Sequence, residues 1–161
     1  MKKTITTILV VALLLLAAPA LFAQEAVTDI FGIEIGTVMG YNLGTENIGA
    51  AQSMAISFGL GEQFEAAMVF ISGGGGNIPN MSLVRLSYYL LDEVGLRVST
   101  GGSGPGATAA GFGVFSYPIR RDFNDTLTTA LGLGVDYYVP NINNNLEDGI
   151  VAIGLNATVA F

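Results

Sequence analysis

The 161-residue chain is 51% hydrophobic and 12% charged, carries a net charge of −7, and contains 22 glycines, no cysteine and no histidine. Disulfides, thiolate metal centres, thiol nucleophiles and a lipid-modified N-terminal cysteine are thereby excluded, and the commonest general base and metal ligand is missing. Beyond residue 23 the cations are Arg85, Arg97, Arg120 and Arg121, too few for a nucleic-acid footprint, while a mean hydropathy of +0.57 exceeds what a domain of this size can hide in a core.

Lys2 and Lys3 precede an apolar run over residues 8–18, and residues 19–23 (PALFA) bring small side chains to a cleavage point between Ala23 and Gln24. This is the pattern of a secretory signal peptide, and the run is shorter than the roughly 20 apolar residues of a spanning helix. The expected organisation is an export segment at 1–23 followed by one domain over 24–161.

From residue 31 onward the apolar period is two, which is the period of a strand. Residues 31–41 place Phe31, Ile33, Ile35, Thr37, Met39 and Tyr41 on one face and Gly32, Glu34, Gly36, Val38 and Gly40 on the other. The same division recurs over residues 53–60 and 64–71, joined by a tight turn, and over 82–90 and 94–100, joined at 91–93. The sixth segment, 108–117, is irregular, with Phe112 and Val114 on one face and Phe115 and Tyr117 on the other, which suggests a bulge. Alternation returns over 127–137 and 150–161, giving eight predicted strands.

The faces opposite the large apolar residues are rich in Gly, Ala and Ser, and carry Glu34, Glu65, Arg85, Arg97 and Asp136. An eight-stranded barrel has interior room for small and mutually paired side chains, so the large apolar face is expected outward, against hydrocarbon. Segments 42–52, 72–81, 101–107 and 138–149 read as long connections and 61–63 and 91–93 as tight ones, while 118–125 reads as a longer turn than that alternation predicts. Phe31, Tyr41, Tyr88, Tyr137, Tyr138 and Phe161 are candidates for interfacial aromatic girdles. The predicted fold is an all-β, antiparallel, up-and-down transmembrane barrel of eight strands.

The export segment, the alternating strands and a terminal Phe161 preceded by apolar residues at every second position together resemble small outer-membrane barrels of the OmpA, OmpX and OmpW type. That resemblance covers residues 24–161 as a pattern, without a subfamily motif. It implies a bacterial outer-membrane location, and it implies that Ile153, Leu155, Ala157, Val159 and Phe161 form the signal read by the barrel-assembly machinery.

Counting along the strands puts Glu34, Glu65 and Arg97 near the periplasmic rim and Arg85 slightly higher, so a buried salt-bridge cluster that plugs the lumen is expected, with a gate as the sharper alternative. Gly73 to Gly76 lacks the Lys and βα unit of a phosphate cradle and reads as a flexible exterior loop. Residues 141–148 match no defined calcium loop, and no metal or cofactor is expected. The expected role is an outer-membrane structural or surface-interaction protein without catalysis, in contact with outer-membrane lipid. The alternatives are a narrow pore or a path for a small apolar ligand, and then a soluble periplasmic barrel binding a lipophilic ligand.

Overall fold

A computed structural model describes residues 31–61, 63–74, 77–124, 127–142 and 149–161. The export segment and its Ala23–Gln24 junction lie outside the described residues, as do Gly75 and Gly76 of the glycine run and residues 143–148 of the Asn-rich segment. The elements are β1 (Phe31–Asn42), β2 (Asn47–Gly59), β3 (Phe64–Gly73), β4 (Met81–Leu91), β5 (Val94–Gly102), β6 (Thr108–Asn124), β7 (Leu127–Val139) and β8 (Ile150–Ala160). Every strand pairs antiparallel with its neighbour in sequence, and β1 pairs with β8, so the sheet closes and has no edge.

Closure is finished at the chain's end. Phe31 and Phe161 exchange two backbone hydrogen bonds, of 3.2 and 2.8 Å, and their rings stack at 5.9 Å. One rim of the barrel carries this seam together with the links β2–β3, β4–β5 and β6–β7. The far rim carries β1–β2, β3–β4, β5–β6 and β7–β8.

Period-two alternation decides which side chains face where. Outward go Ile35, Met39, Met54, Met68, Val84, Val98, Phe112, Leu131 and Leu155, all well exposed, and inward go Glu34, Ala55, Val69, Arg85, Ser87 and Asp136, all buried. Among the described strand residues, the one outward position with a formally charged side chain is Arg121, near the terminal end of β6, where its guanidinium lies 5.6 Å over the Phe123 ring.

Four sequence expectations need correction. The first long connection is a four-residue turn, 43–46, because β2 starts at Asn47; Asn42 Oδ1 accepts the Gly44 and Thr45 amides at 3.0 and 3.1 Å, and Glu46 takes φ 56°. The 118–125 turn is instead strand, since β6 runs on to Asn124. Tyr117 and Pro118 together stand opposite Gly132 in a bulge, where proline's missing N–H costs no ladder bond. Tyr138 leaves the girdle and points into the lumen, at 8% exposure. Finally, the interior is not confined to small and charged groups: Val69, Ile71, Met81, Leu83 and Ile150 are buried there. They fit because glycines and alanines stand across from them, as Ala55 does from Val69 and Gly101 from Leu83.

Candidate functional site

The lumen is filled in three layers. Nearest the terminal rim, Tyr89, Phe115 and Tyr117 pack edge to face, with centroids 5.1 and 5.6 Å apart. The β6 bulge puts Tyr117 here, its ring occupying the space that a side chain at Gly132 would need. A vestibule of about 40 Å³ lies at this mouth, lined in part by Glu65, Asp92, Tyr89, Tyr117 and Arg120.

The middle layer is ionic, and the five inward charges divide into two groups. Arg85, from β4, reaches Glu34 of β1 at 3.2 Å and Glu65 of β3 at 3.3 Å, bridging both carboxylates. The remaining lone pairs meet phenols: Tyr89 donates to Glu65 at 3.3 Å and Tyr117 donates to Glu34 at 3.5 Å. Arg97 and Asp136 form a separate pair, with Nε to Oδ1 at 2.7 Å and a second bond from Nη2 to Oδ2. Two glycines make that pair possible. A Cβ at Gly134 would collide with the Arg97 guanidinium, and one at Gly113 would collide with the Asp136 carboxylate. The Arg97 guanidinium also lies 5.7 Å over the Phe115 ring, tying this layer to the aromatic one. Between the two ionic groups remains a void of about 20 Å³, room for one or two waters at roughly 10–15 Å³ each.

Toward the far rim the lumen is apolar: Val38, Val69, Ile71, Met81, Leu83, Tyr138 and Ile150 form one buried cluster, and Ile78 joins it from the β3–β4 connection. Residues 77–80 fold back into the mouth instead of standing off it. Asn77 donates to the Ile48 carbonyl at 3.0 Å, Asn42 donates to the Asn77 carbonyl at 3.1 Å, and the Gly73 amide donates to Asn80 Oδ1 at 2.9 Å. Ile78, 3% exposed, is the cork these bonds hold. A Cβ at Gly73 would strike its carbonyl, and one at Gly40 would lie 3.2 Å from its Cδ1. Sequence reading missed Ile78 because the apolar residue sits alone between a glycine run and Pro79, where period gives no direction.

Of the terminal residues singled out in the sequence, Ile153, Leu155, Val159 and Phe161 are exposed on the outward face of β8, with Ala157 half-buried between them. Aromatic rings gather at two outward levels. Phe31, Phe58 and Phe161, with the Phe64–Tyr88 pair at 5.0 Å, lie toward the terminal rim, and Tyr41 and the Phe112–Tyr137 pair at 5.5 Å toward the far one. Among the described residues no group of three or more acidic side chains converges as a metal site would require.

Fold and interior together define a closed eight-stranded antiparallel barrel with a filled lumen. No protein-family model matches the chain, and no curated protein matches it. A solved structure described as "De novo design of transmembrane beta-barrels" matches at a TM-score of 0.49 and 12% identity, covering 85% of this chain and all of that one.

Proposed function

We propose that this chain is an integral barrel of a bacterial outer membrane that serves as a non-catalytic anchor, presenting its far rim for surface interaction and conducting nothing through its lumen. The observation that carries the reading is the outer wall, apolar on all eight strands and free of formal charge among described residues except at Arg121. An apolar surface that encircles a molecule is unstable in water and needs hydrocarbon. Hydrocarbon in turn tolerates strands only when every backbone group is bonded, and this ladder is closed. From Phe31 to Tyr41 the wall rises about 33 Å along the strand, or about 25 Å in height at a tilt of about 40°, the height of a lipid-facing band between aromatic girdles.

The filled lumen favours an anchor over a narrow pore, because an ion would have to displace both ionic groups and the Ile78 cork. A soluble lipophilic-ligand barrel needs its large apolar face inward, and here that face is outward. Assembly through the outward β8 residues ending at Phe161 belongs to the same proposal.

The test is fractionation of cells producing the full chain, gel mobility with and without heating, and planar-bilayer conductance of the purified barrel. Recovery in outer membranes, a heat-dependent shift and no unitary conductance are expected. A soluble, heat-indifferent product would refute the membrane reading, and steady conductance steps would replace the anchor with a pore.

A further inference from the structure

Three of the four arginines beyond residue 23 answer to carboxylates: Arg85 to Glu34 and Glu65, Arg97 to Asp136, and Arg120 to Asp122 at 3.4 Å. Arg121 does not. Among the described residues no acidic side chain lies within ion-pair reach of it, and its guanidinium, exposed on the outward face, has the Phe123 ring beside it at 5.6 Å.

The strand registers fix its depth. A row of facing residues that leaves β1 at Asn42, through Ile150 of β8, returns to it from Ser57 of β2 at Gly32, ten residues nearer the terminal rim. At a spacing of about 4.8 Å and a tilt of about 40°, each step in that direction descends about 3 Å. Ile33 faces Val159, Val159 faces Thr129 and Thr129 faces Arg121, which sets Arg121 about 9 Å below Ile33. Phe161 lies about 8 Å below Ile33 and Phe31 about 5 Å, so Arg121 is level with the rings of the terminal rim, where acyl chains meet headgroups.

Beside Arg121 the wall lacks a strand. β5 begins at Val94, which faces Ser116, and the Tyr117 amide donates to the Glu93 carbonyl at 2.8 Å. Beyond that bond residues 119–124 have β7 on one side and no strand on the other. Ile119 and Phe123 on β6 and Leu90 at the end of β4 stand exposed around this gap. The edge is poorly suited to another strand, because Pro118 and the two register breaks of β6, one on either side of residues 119–122, interrupt a regular ladder.

We propose that this notch binds one anionic phospholipid of the leaflet at the terminal rim, with Arg121 holding the phosphodiester and Ile119 and Leu90 lying against the acyl chains. The inference rests on the membrane reading above. A planar guanidinium donates two parallel N–H bonds to a phosphate, and at this depth phosphates are the anions a bilayer supplies. A cation with no carboxylate of its own favours a headgroup with no cation of its own, which selects phosphatidylglycerol over phosphatidylcholine.

The test uses the full chain, which has no tryptophan, in vesicles of phosphatidylcholine and phosphatidylglycerol in equal parts, with bromine near the head of the acyl chains of one lipid or the other. Ile119→Trp puts a quenchable ring beside the notch. Leu60→Trp, just past the end of β2, puts one on the opposite wall. Quenching of Ile119→Trp should report phosphatidylglycerol enriched about 3- to 10-fold over phosphatidylcholine, and quenching of Leu60→Trp the bulk mixture. Adding Arg121→Gln should abolish the enrichment. Vesicle flotation and the heat-dependent gel shift are read on each sample. A floating, heat-shifting barrel with no enrichment at Ile119→Trp, with equal enrichment at Leu60→Trp, or with enrichment that survives Arg121→Gln, overturns the lipid site and leaves the membrane reading intact. Enrichment that excess inorganic phosphate competes away overturns the choice of a lipid over a free anion. A product that neither floats nor shifts overturns both readings.

Discussion

Gly134 and Gly154 face each other across the β7–β8 ladder, both pointing inward, and substituting each by alanine separates lumen packing from every other effect of losing a glycine. At Gly154 a new methyl would find its nearest neighbours, the Thr37 carbonyl oxygen and Val38 Cγ2, at 4.0 Å, an ordinary contact. At Gly134 it would lie 3.0 Å from Arg97 Cζ and closer still to Nη2. Arg97 cannot move aside without leaving Asp136, and Asp136 cannot follow, because its carboxylate already fills the space beside Gly113. Breaking a buried pair costs about 3–5 kcal/mol, and replacing a strand glycine by alanine returns about 0.5–1 kcal/mol through backbone entropy. Gly134→Ala should therefore destabilise the barrel by about 2–4 kcal/mol, whereas Gly154→Ala should stabilise it by about 0.5–1 kcal/mol. Urea titration of the vesicle-embedded barrel, followed by circular dichroism and by loss of the heat-shifted gel form, measures both. Midpoints that put the two variants within about 0.5 kcal/mol of each other would show that the Arg97–Asp136 pair does not occupy the Gly134 site, and the account of the lumen would fall with it.

Arg85→Met strands Glu34 and Glu65 without a cation and should cost about 3–5 kcal/mol, most of it recovered in the triple variant Glu34→Gln, Glu65→Gln, Arg85→Met, as read in the same titration. Ile78→Ala should cost about 2–4 kcal/mol yet add no unitary conductance in planar bilayers, since both ionic groups still lie beneath the opened cork. Phe161→Ala removes the ring stacked on Phe31 and should cost about 1 kcal/mol, with a slower appearance of the heat-shifted form during refolding into detergent.

Strand parity was legible from residue 31 onward because the wall and lumen impose opposite demands on alternate positions. That parity alone assigned Glu34, Glu65, Arg85, Arg97 and Asp136 to the interior. Where the alternation carries little contrast the reading stopped early: over residues 47–52 (NIGAAQ) one face holds Ile48, Ala50 and Gln52 and the other Asn47, Gly49 and Ala51, so neither face is consistently apolar and the first half of β2 was invisible. Residues 118–124 (PIRRDFN) offered proline and charge, the usual marks of a turn, but the β6–β7 hairpin continues past the bulge to the terminal mouth, where charged strand residues can meet water. The partition of the five charges was out of reach for a different reason. Which arginine meets which carboxylate depends on how far the closing sheet is sheared, a property of the whole barrel that no single strand encodes. Ile78 posed a third difficulty, because a loop residue has no face until the mouth it enters exists.

The two surfaces of this wall are under unlike constraints. An outward residue need only be apolar, so Ile35, Val98 or Leu131 could drift to another aliphatic side chain without consequence for its neighbours. Gly113, Gly134, Arg97 and Asp136 are one decision shared by four positions, and Glu34, Glu65 and Arg85 another. Descendants of this sequence should diverge freely on the outside while the inside changes in blocks, several residues at once or none, and such linked exchanges would be the signature by which distant copies of the same barrel could be matched.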